Sequence, residues 1–191
     1  MLPLERAAKL RQEADDVLEQ IGLHEILSPY GKVFPSGSYF LDVMVYPDID
    51  LYITKVSLEQ LFEIGAQIAN CELVTQVVCE KSDDPVHLPD GLYLNPRVNY
   101  GDWGRPWKID IWSLAEELIL QKMADMHHFR AKMTPELREQ IIRYKLSVMT
   151  SQKRPPVYSG YYIYKAFIDE GLTDFGSVTR YLISCGIQME G

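Results

Sequence analysis

Three aspartates are the residues of this sequence best suited to do chemistry. Asp48 and Asp50 lie two residues apart in a β-like stretch, and Asp110 lies downstream in the apolar run WKIDIW. Because side chains alternate along a strand, the first two carboxylates point to the same face, roughly 6 to 7 Å apart. This separation suits one or two divalent cations bound by oxygen ligands. Ile49 and Leu51 alternate with the acids and are expected to point into a core.

A Gly-Ser pair upstream of the acids suits the binding of a phosphate group. Nine residues separate Ser38 from Asp48, and Gly37 precedes the serine directly. Glycine lets the backbone approach a phosphate closely. A serine that opens a short helix offers its hydroxyl and N–H groups to negative charge. Together with the three acids, this turn predicts a site for a metal-bound triphosphate.

Other chemistries of an Asp-x-Asp pair stay open at this point. The simplest is a surface strand that carries two solvated acids. A calcium loop of the EF-hand type is excluded, because Tyr52 falls at loop position 5 and Ile53 replaces the glycine needed at position 6. A glycosyltransferase site for a nucleotide sugar would use the same acid pair, but the upstream Gly37-Ser38 weakens that interpretation.

The order and spacing of these motifs resemble the nucleotidyltransferase superfamily, which includes DNA polymerase beta and the aminoglycoside and lincosamide nucleotidyltransferases. Gly37 and Ser38 match the Gly-Ser of the family, Asp48 and Asp50 match its acid pair, and Asp110 matches its third acid. The resemblance covers about residues 31–113. It implies a small mixed β-sheet flanked by helices, an α/β (α+β) core.

The resemblance also implies an activity and a role for each residue. Asp48, Asp50 and Asp110 would be catalytic and would bind one or two Mg²⁺ ions, and Gly37 and Ser38 would bind the nucleotide. The implied reaction transfers a nucleoside monophosphate from a triphosphate, expected to be ATP, to a hydroxyl of a small-molecule acceptor and releases pyrophosphate. Asp110 would complete a second metal site or accept the proton of the hydroxyl. Because three crowded carboxylates repel one another, the site should depend on the metal.

The residues that follow the Gly-Ser differ from the commonest family form. Minimal members often have a small residue and an arginine there, whereas this chain has Tyr39-Phe40-Leu41-Asp42, which is similar to the lincosamide branch. Two alternatives to the small-molecule enzyme therefore stay open. One is a non-catalytic or antitoxin-like binding protein that keeps the fold. The other is a protein-modifying nucleotidyltransferase whose acceptor is a side-chain hydroxyl.

The composition narrows the class of partner. The chain has 191 residues, a net charge of −8 and a sequence pI of about 5.0. It lacks the basic character of a free-standing nucleic-acid binder, so a small, cationic acceptor is expected and nucleic acid is not. Its three cysteines are odd in number and form no CxxC pair, which predicts buried reduced thiols in a cytoplasmic protein. No apolar run approaches the roughly 18 residues of a membrane span.

Hydrophobic periodicity predicts two regions, an α/β domain over 1–113 and a C-terminal helical bundle over 114–191. The resemblance implies that the first region is a nucleotidyltransferase domain. The elements expected are helices over 3–21, 38–45, 57–70, 113–129, 134–150, 158–170 and 173–185, and strands over 31–37, 48–53, 73–80, 91–100 and 107–112. Lys108 and Arg105 lie near the third acid and are interpreted as ordinary surface charges. Trp103 and Trp107 flank the same turn, where they would pack or stack on a base.

Overall fold

The computed structural model describes residues 1–190, which form a five-stranded sheet and eight helices. The strands are β1 (Val33–Ser36), β2 (Asp48–Thr54), β3 (Val74–Lys81), β4 (Leu92–Val98) and β5 (Trp107–Leu114). The helices are α1 (Pro3–Ile21), α2 (Leu23–Leu27), α3 (Gly37–Phe40), α4 (Leu58–Ala69), α5 (Glu116–Lys132), α6 (Pro135–Ser147), α7 (Ser159–Ile168) and α8 (Phe175–Ser184). No helix within these residues is both long and apolar enough to cross a bilayer.

The sheet is mixed, in the order β1-β2-β5-β4-β3. The neighbours β2 and β5 run parallel, and every other neighbouring pair is antiparallel. The two acid-bearing strands therefore lie side by side in the interior of the sheet, with β1 on one flank and β4 on the other. This confirms the α/β fold class with a small mixed sheet.

One core lies between the sheet and the helices α1, α2 and α4. Ile49, Leu51 and Ile53 of β2 point into it, as their alternation with the acids predicts. The predicted start of α4 is confirmed, because the hydroxyl of Ser57 accepts a hydrogen bond from Gln60 N and closes a capping box. This core supports the sheet from the face opposite the acids.

A second core holds the C-terminal helices together and includes part of the segment between Ser38 and Asp48. Leu41, Val43 and Val45 are buried in it beside residues of α5, α6, α7 and α8. The helical region thus packs directly on the segment that joins the Gly-Ser turn to the acid pair. The boundary at residue 113 stays a prediction, and the last residue of the predicted region, Gly191, lies outside the described residues.

Several element predictions were wrong in extent. The helix expected over 38–45 is only one turn, because Asp42 takes a left-handed φ of 56° and Val43 N bonds back to Ser38 O. Strand β5 continues to Leu114, so α5 begins three residues later than predicted. The short helix α2 was not predicted. The cysteines are free thiols, but all three are half-buried rather than buried.

Candidate active site

The pairing of β2 with β5 brings the three predicted acids together. In that parallel register Asp50 lies beside Asp110, and Asp48 lies beside Lys108. Each aspartate offers one carboxylate oxygen within 4.8 Å of the others. The structure therefore collects Asp48, Asp50 and Asp110 in one cluster on the face of the sheet opposite the first core.

Burial and mutual repulsion act strongly on these carboxyl groups. Desolvation, followed by the charges of Asp48 and Asp110, raises the pKa of Asp50 to about 8. Desolvation also raises the pKa of Asp48, against the opposing charge of Lys108. Removing charged groups from water without full compensation is unfavourable. The acid cluster is therefore short of positive charge.

The hydrogen bonds of the cluster leave one buried oxygen free. Tyr46 Oη donates to Asp48 Oδ2 at 2.7 Å, but Asp48 Oδ1 is buried and accepts no hydrogen bond from residues 1–190. Asp110 Oδ1 accepts bonds from the hydroxyl of Tyr93 and from Asn95 Nδ2. These donors fix the orientation of the two carboxylates. A buried carboxylate oxygen that accepts no hydrogen bond and lies beside two further carboxylates fits a hard divalent cation such as Mg²⁺.

The Gly-Ser turn lies directly against Asp50. Gly37 has a φ of +57°, and a Cβ placed on it would lie 2.0 Å from Asp50 Oδ2. Only glycine satisfies both requirements, because a side chain would be strained by the backbone and would displace the carboxylate. Ser38 is buried at 6% exposure. The turn and the acid pair are therefore built as one unit, as the sequence predicts.

Replacing Gly37 by alanine should cost activity more than stability. The left-handed backbone alone should destabilise the protein by about 1–2 kcal/mol, a fall in Tm of about 2–8 °C. Gly171 is a matched control, because it has a φ of +61° and a Cβ placed on it would have no atom within 4 Å. Both Gly37→Ala and Gly171→Ala should lower Tm in a thermal melt. Loss of nucleotide-dependent turnover in both variants, or in neither, would contradict this assignment of Gly37.

Four cationic side chains hold the segment between Ser38 and Asp48 by its carbonyl oxygens. Two come from α1 and two from α6. The bonds are Arg11 Nη1 to Tyr39 O at 2.9 Å, Arg138 Nε to Asp42 O at 2.8 Å, Lys145 Nζ to Val43 O at 2.8 Å and Arg6 Nε to Val45 O at 2.8 Å. Charge-assisted bonds of this kind are stronger than neutral ones. The segment is therefore fixed between the N-terminal helix and the C-terminal bundle.

Lys145 is a site residue that the sequence did not reveal. Its side chain is 3% exposed, and its ammonium group also lies 3.4 Å from Tyr164 Oη. Burial lowers the pKa of Lys145 to about 8, while the charges of Asp48 and Asp50 oppose that fall. The sequence carried a signal, because Lys145 lies four residues after Ile141 on the apolar face of its helix. A lysine on a buried face needs negative partners.

Lys108 and Arg105 are not ordinary surface charges, so that prediction was wrong. Lys108 Nζ forms an ion pair with Asp110 and lies 3.9 Å from Asp48 Oδ1. Arg105 is near the same acids, with its guanidinium 5.2 Å from the centre of the Tyr46 ring and its charge acting on Asp48. The register of β2 and β5, which the sequence does not specify, brings Lys108 near Asp48.

The two tryptophans have packing roles. Trp107 is fully buried, and the indole of Trp103 donates to Glu13 while the Arg6 guanidinium lies 4.7 Å from its ring centre. The full burial of Trp107 excludes stacking of this residue on a nucleobase, whereas stacking by the half-buried Trp103 stays a prediction. Asp42 forms an ion pair with Arg138 at 3.0 Å instead of joining the acid cluster.

Comparisons with known proteins identify the fold. No protein-family model matches the chain, and no curated protein matches it by sequence. Among solved structures, a mutant of the Cid1 poly(U) polymerase bound to MgATP is similar at a TM-score of 0.53 and 12% identity, over 75% of this chain and 45% of that one. The non-canonical poly(A) polymerase complex GLD-2–GLD-3 is similar at 0.52 and 14% identity, over 91% of this chain and 60% of that one.

The present chain thus spans about half the length of these two structures. At identities of 12% and 14%, the similarity shows a shared fold and does not show a shared substrate. The mixed sheet, the neighbouring acid-bearing strands and the acid cluster agree with the resemblance drawn from Gly37-Ser38, Asp48, Asp50 and Asp110. The chain has the nucleotidyltransferase fold, which it shares with these two polymerase structures.

Proposed function

We propose that the chain is a Mg²⁺-dependent nucleotidyltransferase that uses a nucleoside triphosphate. The observation that carries the proposal is the buried Asp48 Oδ1, which accepts no hydrogen bond from residues 1–190, inside a cluster of three carboxylates that lies against the Gly37 turn. A surface strand with two solvated acids would not bury these groups. The glycosyltransferase alternative is disfavoured, because the fold is that of nucleotidyltransferases.

The reaction moves a nucleoside monophosphate to a hydroxyl group. The hydroxyl oxygen attacks the α-phosphorus and gives up its proton, which a carboxylate of the acid cluster would accept. The bond from that phosphorus to the β-phosphate bridging oxygen breaks, and pyrophosphate leaves. Asp48, Asp50 and Asp110 would hold Mg²⁺, which when bound neutralises the charge that develops on the phosphate oxygens. Asp110 has Tyr93, Asn95 and Lys108 as partners, so these would hold its carboxylate in one orientation toward the metal.

The Gly37 turn and Lys145 flank Asp50. The turn would leave room for a phosphate, and the lysine would offset the negative charge of the triphosphate. Ser38 follows the turn, and its neighbour Gly37 keeps the backbone open for a phosphate. Lys145 carries positive charge near Asp50 and, through Val43 O, fixes the segment that leads to β2. In the low-dielectric interior its charge acts strongly on the developing negative charge of the transition state.

The nature of the acceptor needs revision. A small, cationic acceptor was expected from the net charge of −8. Two solved structures that share the fold at TM-scores of 0.53 and 0.52 are described as poly(U) and poly(A) polymerases. The prediction that nucleic acid is not a partner therefore has no support, and the acceptor is defined here only as a hydroxyl compound.

The proposal is tested by following label from α-³²P-labelled ATP, with and without Mg²⁺, together with release of pyrophosphate. Transfer of label to an added acceptor that needs Mg²⁺ supports it. Labelling of the protein itself would favour the protein-modifying alternative. A calorimetric titration that shows no affinity for MgATP would favour the non-catalytic alternative and overturn the proposal.

Replacing Lys145 by methionine should lower kcat by about 10²-fold, the usual effect of removing one donor that stabilises developing charge. The change also removes a cation that lowers the pKa of Asp50. The pH–rate profile should therefore shift to higher pH, which a merely structural role would not produce. Lys132, exposed at the end of α5, provides the control Lys132→Met. An unshifted profile with wild-type kcat would remove Lys145 from the site.

A further inference from the structure

Three arginines lie beside the acid cluster without carboxylate partners. This guanidinium cluster consists of Arg97 on β4, Arg105 in the turn before β5, and Arg154 in the loop before α7. Within residues 1–190, none of their nitrogens lies within 4.0 Å of a carboxylate oxygen. By contrast, Arg11 and Arg138 each pair with an aspartate.

The loop 150–156 holds two of these guanidinium groups close together. Arg105 Nη1 donates to the backbone carbonyl of Gln152 at 3.2 Å, and Arg154 donates from Nε and Nη2 to the Gln152 side-chain oxygen at 3.0 and 2.7 Å. Glu190, the acid that contacts this loop, bonds to Ser151 and not to the arginines. Neutral acceptors therefore bridge the two cations.

Arg97, the third member of the cluster, lies opposite another positively charged residue in the sheet. Arg97 lies directly opposite Lys108 in the antiparallel ladder of β4 and β5. Like charges in such cross-strand positions destabilise a sheet. In addition to burial, the positive charges of Arg154 and Arg97 lower the pKa of Arg105, whereas the negative charge of Asp48 raises it. A chain with 27 acids and 19 bases thus brings like charges together at one place, next to its acid cluster.

The sheet order separates this cluster from the Gly-Ser turn. Gly37 follows β1, whereas Arg97 is on β4, and the acid-bearing strands β2 and β5 lie between them. Gly37 lies against Asp50, but Arg105 acts on Asp48. The triphosphate side and the guanidinium cluster therefore flank the acids from opposite directions. An acceptor hydroxyl must approach opposite the leaving pyrophosphate, because the displacement is in line.

An aromatic pair shares the face of the sheet that carries the cluster. Tyr93 and Trp112 are cross-strand neighbours whose ring centres lie 4.5 Å apart, and both are half-buried. Tyr93 also donates its hydroxyl to Asp110. Cationic side chains next to half-exposed aromatic rings are the combination that binds phosphates and bases of single-stranded nucleic acid.

We infer that Arg97, Arg105 and Arg154 bind a phosphate group of the acceptor, so that the acceptor is a phosphate-bearing nucleotide compound. One guanidinium group can donate two parallel hydrogen bonds to two oxygens of a phosphate. Such a contact orients the phosphate as well as attracting it. The phosphate is either the phosphomonoester of a mononucleotide or the phosphodiester of an oligonucleotide. This inference rests on the proposed transferase function, and it replaces the cationic acceptor expected from the net charge.

The test measures binding without ATP or Mg²⁺, so it does not depend on turnover. Fluorescein-labelled hexa-adenylate is titrated by anisotropy, with unlabelled AMP and adenosine as competitors. We expect Arg154→Gln to weaken hexa-adenylate binding about 10-fold, equal to about 1.4 kcal/mol. The salt dependence of the binding constant should also become shallower. The control is Arg143→Gln, an exposed arginine of α6 that pairs with Glu139.

Competition by AMP but not by adenosine would assign the site to a phosphomonoester, and competition by neither, with hexa-adenylate binding intact, to a phosphodiester. Equal binding of hexa-adenylate to the wild type and to Arg154→Gln and Arg97→Gln would overturn the inference. A loss of MgATP affinity in these variants, with hexa-adenylate binding unchanged, would also overturn it by assigning the arginines to the triphosphate. If hexa-adenylate binds as inferred but pyrophosphate is never released, the proposed function fails and the phosphate site stands.

Discussion

Replacing Asp50 by asparagine is expected to abolish Mg²⁺-dependent release of pyrophosphate. The side chains have the same shape, so the change removes a charge and leaves the packing of β2 in place. Asp50 lies between the Gly37 turn and the other two carboxylates, so it is the carboxylate nearest the proposed triphosphate site. Loss of one element of charge stabilisation in phosphoryl transfer lowers kcat by about 10³-fold or more. Asp50→Ala should have the same effect.

The measurement is steady-state pyrophosphate release at saturating Mg²⁺ and ATP, with a thermal melt to show that the variant is folded. Asp83→Asn is the matched control, because Asp83 is an exposed aspartate in the loop between β3 and β4 and makes the same change of charge. The control should keep wild-type turnover. Wild-type turnover in Asp50→Asn itself would refute the metal assignment of the acid cluster.

The choice of Asp50 for this experiment depends on which of the three acids already have cationic partners. Lys108 pairs with Asp110 and lies near Asp48, so it partly neutralises the cluster when no metal is bound. Arrival of Mg²⁺ would compete with this ammonium group for the same oxygens. Within residues 1–190, Lys108 forms ion pairs with Asp48 and Asp110 but not with Asp50. Desolvation and the charges of the other two acids raise the pKa of Asp50 to about 8. For this reason Asp50, and not Asp110, is the most informative acid to change.

Local rules predicted the acid pair, but pairing of distant strands completed the site. Alternation along one strand places Asp48 and Asp50 on one face, and this needs only the sequence of that strand. The neighbour of that strand is β5, far along the chain, and its register decides that Asp110 lies beside Asp50. The family resemblance supplied the third acid, because local periodicity cannot.

The cations show the same division between local and distant information. Lys108 lies on the Asp110 face, as alternation predicts, yet its role was misjudged because Asp48 comes from another strand. Lys145 reaches a carbonyl that is 102 residues away in the chain, at Val43. No periodicity within one helix reports such a contact. The single-turn α3 has a local cause that propensity did not reveal, the left-handed backbone at Asp42.

The stability of the metal-free protein is expected to fall as the pH rises from about 4 to about 8, and Asp50 is a main cause. The pKa of Asp50 is raised from 3.8 to about 8 in the folded protein, chiefly by desolvation. The folded state therefore binds a proton more tightly than the unfolded state throughout this window. Its stabilising contribution is complete below the unfolded pKa and is lost as the pH passes through the folded pKa.

Other acids titrate in the same window, so the useful quantity is the difference in Tm between Asp50→Asn and the wild type, measured without metal at successive pH values. This difference should grow from about pH 5 to about pH 8 and level off above, because the variant has no charge to bury. Each kcal/mol corresponds to about 2–4 °C in a protein of this size. Saturating Mg²⁺ should raise the Tm of the wild type at pH near 8 and thereby shrink the difference, because a ligand that binds only the folded state stabilises it. A difference that stays constant with pH would show that Asp50 is ionised and compensated without metal, and the acid cluster would then need no cation.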